Sequence, residues 1–124
     1  MRDARFFAAD CPMTRAMISL GSKWKPIIIH TIQTRKIRFG QLDAIIPFIT
    51  RKVLTQQLKE LEEDGILIRE EFVELPPRVE YSLTEKGLAL LPILKSVCEW
   101  NMFYENTKVC DQKNVELEVE KERV

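Results

Sequence analysis

The chain has 124 residues, 45% of them hydrophobic, and its 19 Lys and Arg balance 19 Asp and Glu. That length predicts one domain with at most a tail, and the apolar fraction supports a core, which excludes a wholly disordered chain. No apolar run approaches the roughly 18 residues of a membrane span, no signal-peptide pattern opens the chain, and three cysteines without CxxC spacing make neither a disulfide framework nor a zinc site.

Residues 1–10 read as a polar N-terminal arm carrying Phe6 and Phe7. Pro12 suits the first turn of a helix and Gly21 its end. A helix is therefore predicted from Pro12 to Leu20, with Met13, Ala16, Met17 and Leu20 on one face. A second helix is predicted over Lys23 to Gln33, which requires Pro26 in its first turn. Ile27-Ile28-Ile29 has strand composition, but Trp24, Ile27, Ile28, Thr31 and Ile32 keep helical spacing. Arg35 to Phe39 reads as a basic connector or one short strand, and a third helix spans about Gly40 to Ile46, ending at Pro47.

The segment from Thr50 to Asp64 is the most informative. Leu54, Leu58 and Leu61 fall at i, i+4 and i+7 and predict a buried stripe. Arg51, Lys52, Thr55, Gln56 and Lys59 fall on the other side, and these residue types bond phosphate oxygens and base edges. Thr50 suits the N-cap, and Gly65 is a natural stop. Two helices joined by Pro47-Phe48-Ile49 make a helix-turn-helix, whose second helix suits the major groove of DNA.

Ile66 to Val73 then reads as a strand, Leu75-Pro76-Pro77 as a rigid turn, and Val79 to Leu83 as a returning strand. Thr84 caps a long final helix, about Glu85 to Asn106, with a kink expected at Pro92. Leu88, Leu91, Leu94 and Cys98 form one apolar line on it, and Leu90, Ile93, Val97, Trp100 and Tyr104 another. One domain covers one such face. A symmetric second subunit is the simplest cover for the other. From Lys108 onward the chain is charged and reads as a frayed helix or a disordered tail. The predicted fold class is thus α+β, mostly α: a winged helix-turn-helix with long N- and C-terminal dimerisation helices, over residues 11–107, between an arm (1–10) and a charged tail (108–124).

Neutral net charge hides an uneven distribution. Residues 1–59 carry 11 Lys/Arg and 3 Asp/Glu, a balance of +8, while residues 60–124 carry 8 and 16, a balance of −8. A basic half that contains the reading helix favours a polyanion. An acidic tail and chance would give the same asymmetry.

The chain resembles the HxlR-type winged-helix regulators of bacteria. The resemblance rests on Cys11-Pro12, Gly21-Ser22-Lys23-Trp24-Lys25, Arg38-Phe39, the run from Leu54 to Gly65, Pro76 to Thr84, and Cys98-Glu99-Trp100, and covers roughly residues 10–104. Gly40 and Gln41 stand where that family usually has a polar and an acidic residue, and Asn101 where glycine usually follows the Trp. The resemblance implies a cytoplasmic homodimer that binds double-stranded DNA. Its reading helix lies over residues 50–64, its wing of Pro76 to Arg78 nears the minor groove, and its first and last helices form the interface. The expected DNA contacts are Arg38, Thr50, Arg51, Lys52, Thr55, Gln56, Lys59 and Arg78; the expected interface residues are Met13, Met17, Leu94, Val97, Trp100 and Tyr104. Arg78 also has Glu74 and Glu80 within reach as ordinary ion-pair partners.

Cys11 opens the first helix, where the helix dipole favours thiolate. It is the candidate redox or electrophile sensor, as in some regulators this chain resembles; the bland alternative is a small half-buried residue. Cys98 reads as core, and Cys110 in the tail as a candidate resolving thiol. His30 is the only histidine and has no catalytic context. No enzyme activity, cofactor or metal is expected, and an oxidant or small molecule is the expected class of effector. The competing reading is a winged-helix module for protein–protein interaction, which the basic, amide-rich face opposes.

Overall fold

The computed structural model describes residues 11–105; the expected arm, the tail and Cys110 lie outside the described residues. The elements run α1 (Pro12–Leu20), α2 (Trp24–Ile32), β1 (Ile37–Arg38), α3 (Phe39–Ile45), α4 (Arg51–Glu63), β2 (Leu67–Phe72), β3 (Arg78–Leu83), α5 (Glu85–Leu88) and α6 (Leu90–Glu105). Three antiparallel strands pair in the order β1-β3-β2, with Ile37 opposite Tyr81 and Leu67 opposite Leu83. This is a mostly helical winged helix-turn-helix, in which β2 and β3 form the wing.

The isoleucine run is helical. Ile28, Ile29 and Ile32 on α2 are wholly buried, and they pack with Leu42 of α3, Leu54, Leu58 and Leu61 of α4, and Ile66 and Leu83 beside the wing. Burying each such side chain contributes about 1.5–3 kcal/mol, so this cluster sets how the three helices sit on one another. The N-terminal turn of α3 begins one residue before the expected start. The Arg38 backbone N–H donates to Gln41 Oε1 at 2.9 Å, and this cap starts the helix at Phe39.

Two glycines fix the joint between α4 and the wing. Gly65 has φ +74°, its N–H donates to Glu62 O at 3.0 Å, and the Ile66 N–H donates to Leu61 O at 2.9 Å. This is a Schellman stop, which favours glycine at the left-handed position. Gly87 lies so close to the Ile66 carbonyl that a Cβ there would fall 2.5 Å from that oxygen. The Thr84 hydroxyl donates to Gly65 O at 2.6 Å and accepts from the Gly87 N–H at 3.1 Å, which ties α5 to the same corner.

The final helix is interrupted where Pro92 predicts a kink: α5 ends at Leu88, Ala89 keeps helical backbone angles (φ −64°, ψ −20°), and α6 begins at Leu90. Pro92 has no N–H for the Leu88 carbonyl and its ring opposes that group, so the helix restarts with Pro92 in its first turn. Leu94, expected at a subunit interface, is only 8% exposed in the single chain and belongs to its core cluster.

Candidate nucleic-acid interface

The turn between α3 and α4 is pinned from inside by buried Ile46 and Ile49. Thr50 then caps α4, accepting from the Val53 N–H at 3.1 Å. With Leu54, Leu58 and Leu61 buried, helical geometry turns Arg51, Lys52, Thr55, Gln56 and Lys59 to solvent, and all five are exposed, as is Thr50. The side chains that the sequence places opposite the leucine stripe thus share one solvent-facing side.

Several of them are held by neighbours. Arg51 Nε donates to Asp43 Oδ2 at 3.1 Å and its guanidinium lies 5.9 Å from the centre of the Phe39 ring, yet its side chain stays 75% exposed. The Thr55 hydroxyl donates to Arg51 O at 2.8 Å, one turn back along the helix. Gln56 Nε2 donates to Glu60 Oε2 at 2.7 Å.

Behind this face lies a polar contact absent from the sequence reading. Lys25 of α2 is 6% exposed, and its Nζ sits 2.7 Å from Glu60 Oε1. The ammonium and the Gln56 amide together hold the Glu60 carboxyl below its ordinary pKa. One turn earlier, the Ser22 hydroxyl donates to Gln57 Oε1 at 2.5 Å and accepts from the Lys25 N–H at 3.1 Å. A signal did exist: Lys25, Ile28, Ile29 and Ile32 follow i, i+3, i+4, i+7, which places a lysine on a buried stripe.

In the wing, Arg78 stands opposite Phe72 and stacks 4.0 Å from its ring centre. Its Nη2 is 3.0 Å from Glu74 Oε2, and its Nε is 3.6 Å from Glu80 Oε2, an ion pair too long for a hydrogen bond. The side chain is 26% exposed. The ordinary ion-pair reading thus describes this arginine in the free chain. Arg38, exposed at the entrance of α3, shares with it an open cleft of about 370 Å³ that Pro76 and Pro77 also line.

A second, apolar surface occupies the two long helices. No residue of α1 is buried, and Met13, Met17 and Ile18 are exposed. On α6, Ile93, Val97, Trp100, Phe103 and Tyr104 are exposed, with Trp100–Tyr104 ring centres 6.1 Å apart and Phe103–Tyr104 centres 4.9 Å apart, edge to face. Ile18 and Phe103 were not singled out in the sequence; Phe103 lies one turn beyond Trp100, spacing that would have found it.

Cys11 is the half-buried N-cap of α1. The hydroxyl and backbone amide of Thr14, with the amide of Met13, stabilise its thiolate against desolvation and hold its pKa below the usual thiol value. Cys98 is half-buried on α6. The Gln33 side chain donates to His30 O at 2.5 Å and lies 3.4 Å from its Nδ1. Among the described residues no three His, Cys, Asp or Glu cluster as metal ligands, and no helix is long and apolar enough to cross a membrane.

A helix-turn-helix with a hairpin wing and a reading helix that presents a basic, amide-bearing face defines a DNA-binding transcriptional regulator. The chain belongs to the HxlR family: the family model for the HxlR-like helix-turn-helix matches residues 19–109. An HTH-type transcriptional regulator of Methanothermobacter thermautotrophicus (strain Delta H) is 45% identical over 94 residues, 76% of this chain and 72% of that protein. The crystal structure of a MarR-family regulator from Porphyromonas gingivalis W83 is 37% identical, covers 82% of this chain and 95% of its own, and superposes with a TM-score of 0.74. The redox regulator HypR in its oxidised form is 43% identical, covers 79% of this chain and 98% of its own, and superposes with a TM-score of 0.71. The family is one of transcriptional regulators, not of enzymes.

Proposed function

We propose that this regulator binds double-stranded DNA as a homodimer. In this reading Gln56 and Arg51 contact base edges, and Thr50, Lys52, Thr55 and Lys59 contact phosphates and edges beside them. Arg38 and Arg78 grip the backbone and the minor groove at the wing. The observation that carries it is the exposure of Thr50, Arg51, Lys52, Thr55, Gln56 and Lys59 together on one side of α4, opposite a wholly apolar buried stripe. Phosphate contacts fix the register and base contacts choose the sequence. The apolar faces of α1 and α6 supply the second subunit contact: Met13, Met17, Val97, Trp100 and Tyr104, joined by Ile18 and Phe103.

Cys11 supplies the signal in this reading. Its thiolate is favoured at the mouth of a helix that takes part in the proposed interface, and HypR is a redox regulator of similar fold. An electrophile adds to the sulfur, or two thiolates join as a disulfide while their two electrons pass to an oxidant such as diamide. Either product alters packing beside α1 and thereby the separation of the two reading helices. The test is fluorescence anisotropy on fragments recovered from genomic DNA, with mass measured in the same buffer, before and after diamide. A monomer that binds all duplexes equally would refute the dimeric, sequence-specific reading; a dimer indifferent to diamide would refute the sensing role.

A further inference from the structure

The geometry points to Lys25 and Glu60 as positioning residues that set base selectivity by holding the Gln56 amide in one orientation. The inference rests on the proposed role of α4 and names the base that its glutamine reads: adenine.

A glutamine on a solvent-facing helix surface samples many rotamers, and freezing one at the moment of binding costs entropy. Here the rotamer is already held. Glu60 Oε2 accepts from Gln56 Nε2 at 2.7 Å while Glu60 Oε1 is fixed at 2.7 Å by the Lys25 ammonium. Lys25 is itself confined, because α2 packs on α4 and its side chain is 7% exposed. The chain of contacts therefore runs from the core outward: a buried cation, a half-buried carboxylate, an exposed amide.

The carboxylate also decides which way the amide faces. Next to an ionised Glu60, the Gln56 oxygen would be repelled, so the –NH₂ must point at it. Glu60 takes one N–H, and no protein group among the described residues takes the second N–H or Oε1. What remains is one donor beside one acceptor. Adenine offers the matching pair, N7 as acceptor and N6–H as donor, in the major groove. Guanine offers two acceptors there, and the Gln56 oxygen would face one of them unpaired.

A buried ammonium needs this carboxylate for its own sake, and an ion pair of that kind has a structural effect too. The experiment separates the two roles. The probe is a DNA duplex library randomised at each position of the bound site, partitioned on the intact dimer and sequenced. Wild type is expected to favour adenine at one position of each half-site. Glu60→Ala, and Lys25→Met/Glu60→Ala, which leaves no buried charge without a partner, should flatten that preference about tenfold at that position alone. For the paired variant, which conserves net charge, binding to random duplex should stay the same, since phosphate contacts are untouched. In a Gln56→Ala background Glu60→Ala should change nothing further, because the contact it tunes has gone. Unchanged adenine preference in both variants, or equal loss at every position, would overturn the proposal. Wild type without preference anywhere would instead overturn the sequence-specific reading on which it stands. Should Glu60→Ala unfold, the paired variant, made also in the Gln56→Ala background, still decides.

Discussion

Arg78 Nη2 lies 3.0 Å from Glu74 Oε2, so the wing arginine of the free chain already has an anionic partner. Phosphate must displace that carboxylate before Arg78 can enter a groove. Glu74 is half-exposed and close to the wing tip, where exchange is open to solvent. Its replacement by alanine should therefore release the Nη2 end of the arginine, leaving the longer Glu80 pair and the Phe72 stack. Glu74→Ala is expected to tighten binding to all duplexes alike and to steepen the dependence of log affinity on log salt by up to about 0.9. Arg78→Ala should make that slope shallower by about 1. Titrations of both variants at several salt concentrations check this; identical slopes would leave Arg78 as part of the wing's own structure.

Gln56 and Lys59 should separate cleanly. Gln56→Ala should cost about 1–3 kcal/mol of discrimination between bound site and random duplex. Lys59→Ala should weaken both to the same degree, because a phosphate contact carries no base information. Competition binding with the two DNAs makes the comparison, and a Gln56→Ala protein of full selectivity would place the reading face elsewhere.

Substitutions on α6 should fall into two classes although they lie on one helix. Trp100→Ala and Phe103→Asp alter exposed rings, 64% and 79% accessible in the single chain, and should give folded monomers of low DNA affinity. Leu94→Asp buries a carboxylate in the core and should unfold the chain, while Leu94→Ala should cost about 2–5 kcal/mol. Sedimentation paired with thermal melts distinguishes these results. A folded Leu94→Asp monomer would return that residue to the interface.

The contrast between Leu94 and Trp100 also marks how far the sequence could be read. Stripes that alternate apolar and polar along one helix reveal their own buried side, as Leu54, Leu58 and Leu61 did against Gln56 and Lys59. On α6 apolar residues surround the helix, so periodicity does not say which side meets the core. Contacts between elements are harder still. Nothing local in Lys25 or Ser22 says that their partners are Glu60 and Gln57, some 35 residues away in both cases. They become neighbours only when α2 and α4 close on Ile28, Ile29 and Leu58. Turn chemistry, by contrast, is local, and Thr50, Gly65 and Thr84 were legible as a cap, a stop and a cap.

Cys11 gives a prediction with a definite sign. The Thr14 hydroxyl and amide, facing the sulfur, are the leading causes that lower its pKa. Thr14→Val removes the hydroxyl and keeps the amide and the β-branched shape. The thiol pKa should therefore rise towards its ordinary value. Only thiolate reacts, so at neutral pH the variant should label more slowly with iodoacetamide, and the pH of half-maximal rate should move upward. At high pH both proteins are fully ionised and the rates should converge. Cys98, half-buried within the apolar run of α6, should label more slowly than Cys11 throughout. Mass spectrometry of each peptide reads both sites together. Operator binding after diamide then connects chemistry to function: wild type should change affinity, and Cys11→Ser should not. If Cys11→Ser responds as wild type does, the signal enters through another group. If Thr14→Val labels at the wild-type rate at every pH, Thr14 has no part in tuning this thiol.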